Sequence, residues 1–80
     1  MIIYDLLTAR EIDILRKIVQ GKSNREIANE FCLSEATVHN HVASILGKLQ
    51  LKSRTQAAVY ALRSGLSSLD DIPLIPDVMA

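Results

Sequence analysis

Apolar residues recur every three or four positions over most of the chain, which is the spacing of one face of a helix. Two long stripes are visible: Ile12, Leu15, Ile18 and Val19, then Val38, Val42, Ile45 and Leu49. Two shorter stripes are Ile27, Ala28 and Phe31, then Ala57, Ala58, Ala61 and Leu62. No segment alternates apolar and polar residues for long enough to form a half-buried strand. The pattern therefore predicts an all-α protein with four helices.

Capping residues set the expected boundaries of these helices. A Ser or Thr followed three positions later by Glu or Gln can form a capping box, in which each side chain binds the other residue's backbone amide. The candidate boxes are Thr8–Glu11, Ser23–Glu26 and Ser53–Gln56, and Ser34 before Glu35 is a fourth N-cap. Helix stops are predicted at Gly21, Gly65, Pro73 and Pro76. We therefore predict helices at about 9–20, 24–31, 35–49 and 54–64.

The connection between the second and third helices is short. It leaves room for only a tight turn, so a short helix, a turn and a longer helix follow one another as in a helix-turn-helix. Ala28 supplies the small residue that faces the next helix, and Leu33 supplies an apolar contact. The turn needs a left-handed residue, which is easiest for Gly. In this chain that position falls on Cys32.

A series of short motifs makes the helix-turn-helix more specific. In order, they are Leu7-Thr8-Ala9-Arg10-Glu11, Ile14-Leu15, Gly21-Lys22-Ser23-Asn24-Arg25-Glu26-Ile27-Ala28, Leu33-Ser34-Glu35-Ala36-Thr37-Val38, His41-Val42, Leu46-Gly47-Lys48-Leu49 and Lys52-Ser53-Arg54-Thr55-Gln56-Ala57-Ala58. This series resembles the LuxR/FixJ/NarL-type (GerE-like) helix-turn-helix domain of bacterial response regulators. The resemblance implies a DNA-binding transcription regulator of a two-component system. We divide the chain into a lead at 1–7, the domain at 8–65 and an acidic tail at 66–80.

The formal net charge of zero first argues against nucleic-acid binding, but the charges are segregated along the chain. Residues 8–64 hold all nine bases and five of the nine acids, and residues 36–64 hold no acid. A chance cluster is the alternative explanation in a chain of 80 residues. No apolar run is long enough for a membrane span, and a single cysteine, Cys32, fits a reducing cytoplasm. We expect a cytoplasmic protein without enzymatic activity, cofactor or metal.

The third predicted helix carries the candidate base-reading residues. Opposite its apolar stripe lies a face of small and weakly polar residues, which suits either close approach to a DNA groove or packing against another helix. The residues predicted to read bases are His39, Asn40, Ala43 and Ser44. Members of the family commonly have Lys where this chain has His39, and a basic or polar residue where it has Ala43. The resemblance therefore implies weaker direct base readout here.

The remaining candidate residues also follow from the resemblance. It implies phosphate contacts by Asn24, Arg25, Ser34, Thr37, Lys48, Lys52 and Arg54, with ordinary solvated surface as the less favoured alternative for Lys48 and Lys52. It implies a homodimer through the last helix, for which we name Ala57, Ala58, Tyr60 and Ala61. The expected partners are double-stranded DNA, a second copy and an upstream receiver or sensor domain. A protein-interaction module on the same fold, with weakened DNA binding, remains the alternative function.

Overall fold

A computed structural model describes residues 6–66, and four helices account for most of them. They are α1 (Ala9–Val19), α2 (Asn24–Phe31), α3 (Glu35–Leu49) and α4 (Arg54–Arg63). The predicted all-α class is confirmed, and the four predicted helices match these bounds to within one residue. Most of the predicted lead and acidic tail lies outside the described residues. None of the described helices is long and apolar enough to cross a membrane.

α1 and α4 each end one residue earlier than predicted. The residues after them, Gln20 and Ser64, still donate to carbonyls of the last helical turn. Gly21 and Gly65 then adopt φ values of 85° and 77°, which turn the chain away from the helix axis. The two glycines therefore stop the helices as predicted, with one capping residue in between.

Three of the four predicted caps form as expected. Thr8 and Glu11 bond each other's amides at 3.1 and 2.9 Å, Ser23 and Glu26 do so at 3.1 and 2.8 Å, and Ser34 accepts from the amide of Thr37 at 3.0 Å. The box predicted at Ser53 and Gln56 is only half right. Ser53 accepts from the amide of Gln56 at 3.2 Å, but the Gln56 side chain accepts from Lys52 at 2.8 Å. Ser53 has φ −144°, against −73° and −80° at the two complete boxes, so its own amide is turned differently.

The core lies where α1 packs against α3 and α4 and where α2 packs against α3. The stripe residues Val38 and Ile45 are fully buried, and so is Ile14, which was not predicted. α1 packs most extensively against two helices, α3 and α4, so it buries a wider face than one stripe requires. Leu62 was predicted to join the apolar stripe of α4 but is 49% exposed. Ala57 and Ala61 take the inward face of that helix, which turns Leu62 outward.

Two residues in left-handed conformation fix the direction of α3. Cys32, in the turn between α2 and α3, has φ 57° and ψ 43°, which confirms the predicted turn position. The amide of the next residue, Leu33, donates to the carbonyl of Ala28 at 2.9 Å and closes the end of α2. At the other end of α3, Gln50 has φ 59°, which was not predicted. Non-glycine residues adopt this conformation only where surrounding contacts hold them there. Both ends of α3 are therefore locally constrained.

Candidate nucleic-acid interface

One face of α3 is open to solvent along its length. Val38, Val42 and Ile45 point into the core, so the opposite side of the helix faces outward. Its exposed residues include Ala36, His39, Asn40, Ala43 and Gly47. Three of the four predicted base-reading residues thus lie together on an open face. Most side chains on this face are small and project little from the helix, which permits close approach to another surface. None of the five residues carries a fixed charge.

Ser44, the fourth predicted base-reading residue, has a partner in its own chain. Its hydroxyl donates to Oε2 of Glu11 on α1 at 2.8 Å. Lys48, one turn further along α3, donates to Oε1 of the same carboxylate at 2.8 Å. The structure therefore places Ser44 and Lys48 on the flank of α3 that faces α1.

Glu11 is the central group of this flank, although the sequence predicts for it only a role in capping α1. Its side chain is 5% exposed, and it is the buried charged residue of the described region. Burial alone would raise the pKa of the Glu11 carboxyl. Hydrogen bonds from Lys48, the amide of Thr8 and Ser44, with the charge of Lys48, outweigh burial and lower the pKa to about 2. Glu11 is therefore ionised at neutral pH and links the start of α1 to the second half of α3.

A helical projection could have flagged Glu11, because Leu15 and Ile18 follow it at i+4 and i+7 on the buried face of α1. An acid on a buried face requires a compensating partner. The partner itself is 37 positions away along the chain, and no local pattern indicates it.

A second polar link joins the starts of α2 and α4. The guanidinium of Arg54 donates to the side-chain oxygen of Asn24 and to the backbone carbonyl of Lys22. Burial lowers the pKa of Arg54. Both Asn24 and Arg54 were predicted to contact phosphate, and the structure brings them together beside the first turn of α2.

The remaining predicted phosphate residues lie at helix starts or in loops. Ser34 and Thr37 bond each other through their hydroxyls at 2.9 Å in the first turn of α3. Arg25 and Lys52 are exposed, and neither side chain has an ion-pair partner within residues 6–66. These two are the predicted phosphate contacts whose charge is fully available.

The four residues predicted for a dimer interface on α4 differ in how exposed they are in the single chain. Ala57 and Ala61 are fully buried inside the chain's own core, so a second chain cannot reach them. Ala58 and Tyr60 are half-buried, whereas Val59 and Leu62 are 43% and 49% exposed. Packing of α4 against α1 buries the face of α4 that carries Ala57 and Ala61. The exposed large apolar residues of α4 in the described region are thus Val59 and Leu62, and a dimer through this helix stays a prediction.

The chain is similar in sequence to known bacterial regulatory proteins. The family described as bacterial regulatory proteins of the luxR family matches residues 5–61. The chain is 48% identical over 61 residues to the transcriptional regulatory protein LnrK of Bacillus subtilis strain 168 (76% of this chain, 28% of that protein). It is 45% identical over 64 residues to the response regulator protein VraR of Staphylococcus aureus strain COL (80% of this chain, 31% of that protein). The chain therefore spans about a third or less of these curated relatives.

A solved structure agrees with the sequence matches. The structure of the transcription factor GerE superposes with a TM-score of 0.73 and 40% sequence identity, over 81% of this chain and 97% of that one. The sequence match and the shared four-helix architecture together show that the chain belongs to the luxR family of bacterial regulatory proteins.

Proposed function

We propose that this domain binds double-stranded DNA for a bacterial transcription regulator and inserts α3 into the major groove. The observation that carries the proposal is the open face of small side chains on α3, the second helix of the helix-turn-helix. A helix of this kind can approach base edges closely. The names of the relatives, a transcriptional regulatory protein and a response regulator, support the same function.

Base readout in this proposal comes from the exposed face of α3. Asn40 can pair with adenine through its amide, and His39 can donate or accept at a base edge. Ala43 offers only a methyl group for apolar contact, for example with thymine. Ser44 would join this set only if its hydroxyl left Glu11. This limited set predicts modest base discrimination, with a larger share from DNA shape and a second copy.

Phosphate binding in this proposal combines helix starts with side chains. The first turns of α2, α3 and α4 carry unpaired backbone amides, which favour anions. Around them lie Arg25 and Lys52 with unpaired charges, Asn24 and Arg54 in a mutual link, and the hydroxyls of Ser34 and Thr37. Residues 6–66 hold nine bases and five acids, and no acid follows Glu35 in that range. The α3–α4 half of the domain is thus the basic half.

The assembly belongs to the same proposal. A homodimer through the Val59, Tyr60 and Leu62 side of α4 would place two copies of α3 on half-sites about one helical turn of DNA apart. The relatives are about three times as long as the matched region, so a receiver or sensor domain fits their extra length. A regulator of this kind acts in the cytoplasm.

A fluorescence titration with a labelled palindromic duplex at two salt concentrations tests the proposal. Binding should weaken steeply with salt, with a log–log slope of about −0.9 for each phosphate neutralised. A scrambled duplex is the control for specificity. Absence of binding at low salt would contradict the proposal and favour a protein-interaction module on the same fold.

A further inference from the structure

The link from Glu11 to α3 holds two residues that the DNA-binding proposal would otherwise use. Ser44 and Lys48 lie one turn apart on the same flank of α3 and both donate to one carboxylate at 2.8 Å. A third bond, from the amide of Thr8 at 2.9 Å, fixes the carboxylate to the start of α1. The carboxylate therefore binds α3 at two points and α1 at one.

We infer that Glu11 is a positioning residue for DNA recognition: it holds Ser44 and Lys48 away from the duplex and sets the orientation in which α3 enters the groove. The inference rests on the proposed DNA binding and deepens it. It divides the basic residues near α3 into two kinds, with Lys48 supporting the helix and Lys52 left free for phosphate.

The Glu11 carboxylate is buried and the Lys48 ammonium is partly exposed, and this difference explains why Lys48 stays with Glu11. The Glu11 side chain is 5% exposed, whereas that of Lys48 is 37% exposed. If Lys48 left, the carboxylate would remain buried without its counter-charge, which is strongly unfavourable. A phosphate contact made at the surface is weaker because solvent and salt screen it. Keeping the internal pair is therefore favoured.

Salt dependence of DNA binding separates positioning from direct contact. A phosphate contact contributes to the log–log salt slope, whereas an internal support changes the affinity without changing the slope. Binding of a labelled palindromic duplex is measured over a salt series for the wild-type chain and for Lys48→Gln, Lys52→Gln and Glu11→Gln. The matched control is Glu30→Gln, because Glu30 also pairs with a lysine of another helix, Lys17 at 2.9 Å, but at the exposed surface.

Each variant has a distinct expected result. Lys52→Gln reduces the size of the slope by about 0.9 per chain. Lys48→Gln leaves the slope unchanged and weakens binding about 10-fold, the effect of a typical coupling between contacting residues. Glu11→Gln weakens binding to a similar extent. A double variant that combines Glu11→Gln and Lys48→Gln binds DNA no more weakly than the weaker-binding of these two single variants. Glu30→Gln does not weaken binding, since an exposed ion pair contributes little.

Three results would overturn the inference while leaving the proposed function intact. One is a slope for Lys48→Gln that is reduced as much as that for Lys52→Gln. The second is additive losses in the double variant, and the third is a Glu11→Gln affinity equal to that of the Glu30→Gln control. Ser44→Ala removes one bond without changing charge and serves if Glu11→Gln fails to fold. No binding by the wild-type chain would instead overturn the proposed function, and this inference with it.

Discussion

The ionised Glu11 carboxylate should make the stability of the domain sensitive to acid. Its pKa is lowered from the ordinary value of 4.5 to about 2 in the folded chain. Between these values the unfolded chain binds the proton more strongly, so acid favours unfolding. The stabilising contribution is fully present above about pH 5 and is lost as the pH falls towards about 2. At about 1.4 kcal/mol per pKa unit, the full contribution is about 3 kcal/mol.

The experiment is urea unfolding followed by circular dichroism at several pH values from 7 to 3. For the wild-type chain, Glu11 should account for a loss of about 2 kcal/mol in unfolding free energy between these limits, because the folded pKa is not yet reached at pH 3. Glu11→Gln should be less stable at pH 7 by about 2 to 3 kcal/mol, the effect of breaking a buried pair while keeping some hydrogen bonds.

The comparison of pH dependences decides the outcome. Glu11→Gln should lose less stability than the wild-type chain on going from pH 7 to 3, because the titrating group is gone. Glu26→Gln is the control, since Glu26 caps α2 in the same way; the amide of Ser23 lowers the pKa of this exposed group. Equal losses in the wild-type chain and in Glu11→Gln would refute the assignment of the low pKa to Glu11.

Three further predictions concern the turn, the reading face and α4. Cys32→Gly should raise the unfolding free energy by up to about 1 kcal/mol in urea titrations, because φ 57° suits Gly, and Cys32→Val should lower it. His39→Lys should tighten binding to a palindromic duplex by at least about 5-fold, since it adds a fixed charge on the exposed face of α3; an unchanged dissociation constant would remove His39 from the interface. Val59→Glu should shift sedimentation towards monomer while the helical signal is kept, whereas Ala57→Glu should unfold the chain because Ala57 is fully buried.

Most of the fold of this chain can be predicted from residues that are close together in the sequence. Thr8, Ser23 and Ser34 cap the helices that they were predicted to cap, since their partners lie three residues away. Cys32 was placed in a left-handed conformation because a short turn leaves few positions for it. Such features depend on neighbours within one turn, which a single sequence displays.

The candidate interface depends on contacts that a single sequence does not display. Glu11 meets Lys48 across 37 positions, and Arg54 meets Asn24 across 30. These pairings arise from how all four helices pack. The internal partner of Lys48, which competes with its predicted phosphate contact, is therefore visible only in the structure. The inward face of Ala57 is a similar case, because which side of α4 meets α1 is decided by tertiary packing.

Chemical-shift mapping of the labelled chain with a palindromic duplex tests the central claim most directly. The backbone amide signals of His39, Asn40 and Ala43 should shift most, together with those in the first turn of α2. The signals of Asp13 and Lys17, which lie on the side of α1 turned away from Glu11, should not shift. Shifts confined to the outer face of α4, or no shifts at low salt, would contradict the claim that α3 reads DNA.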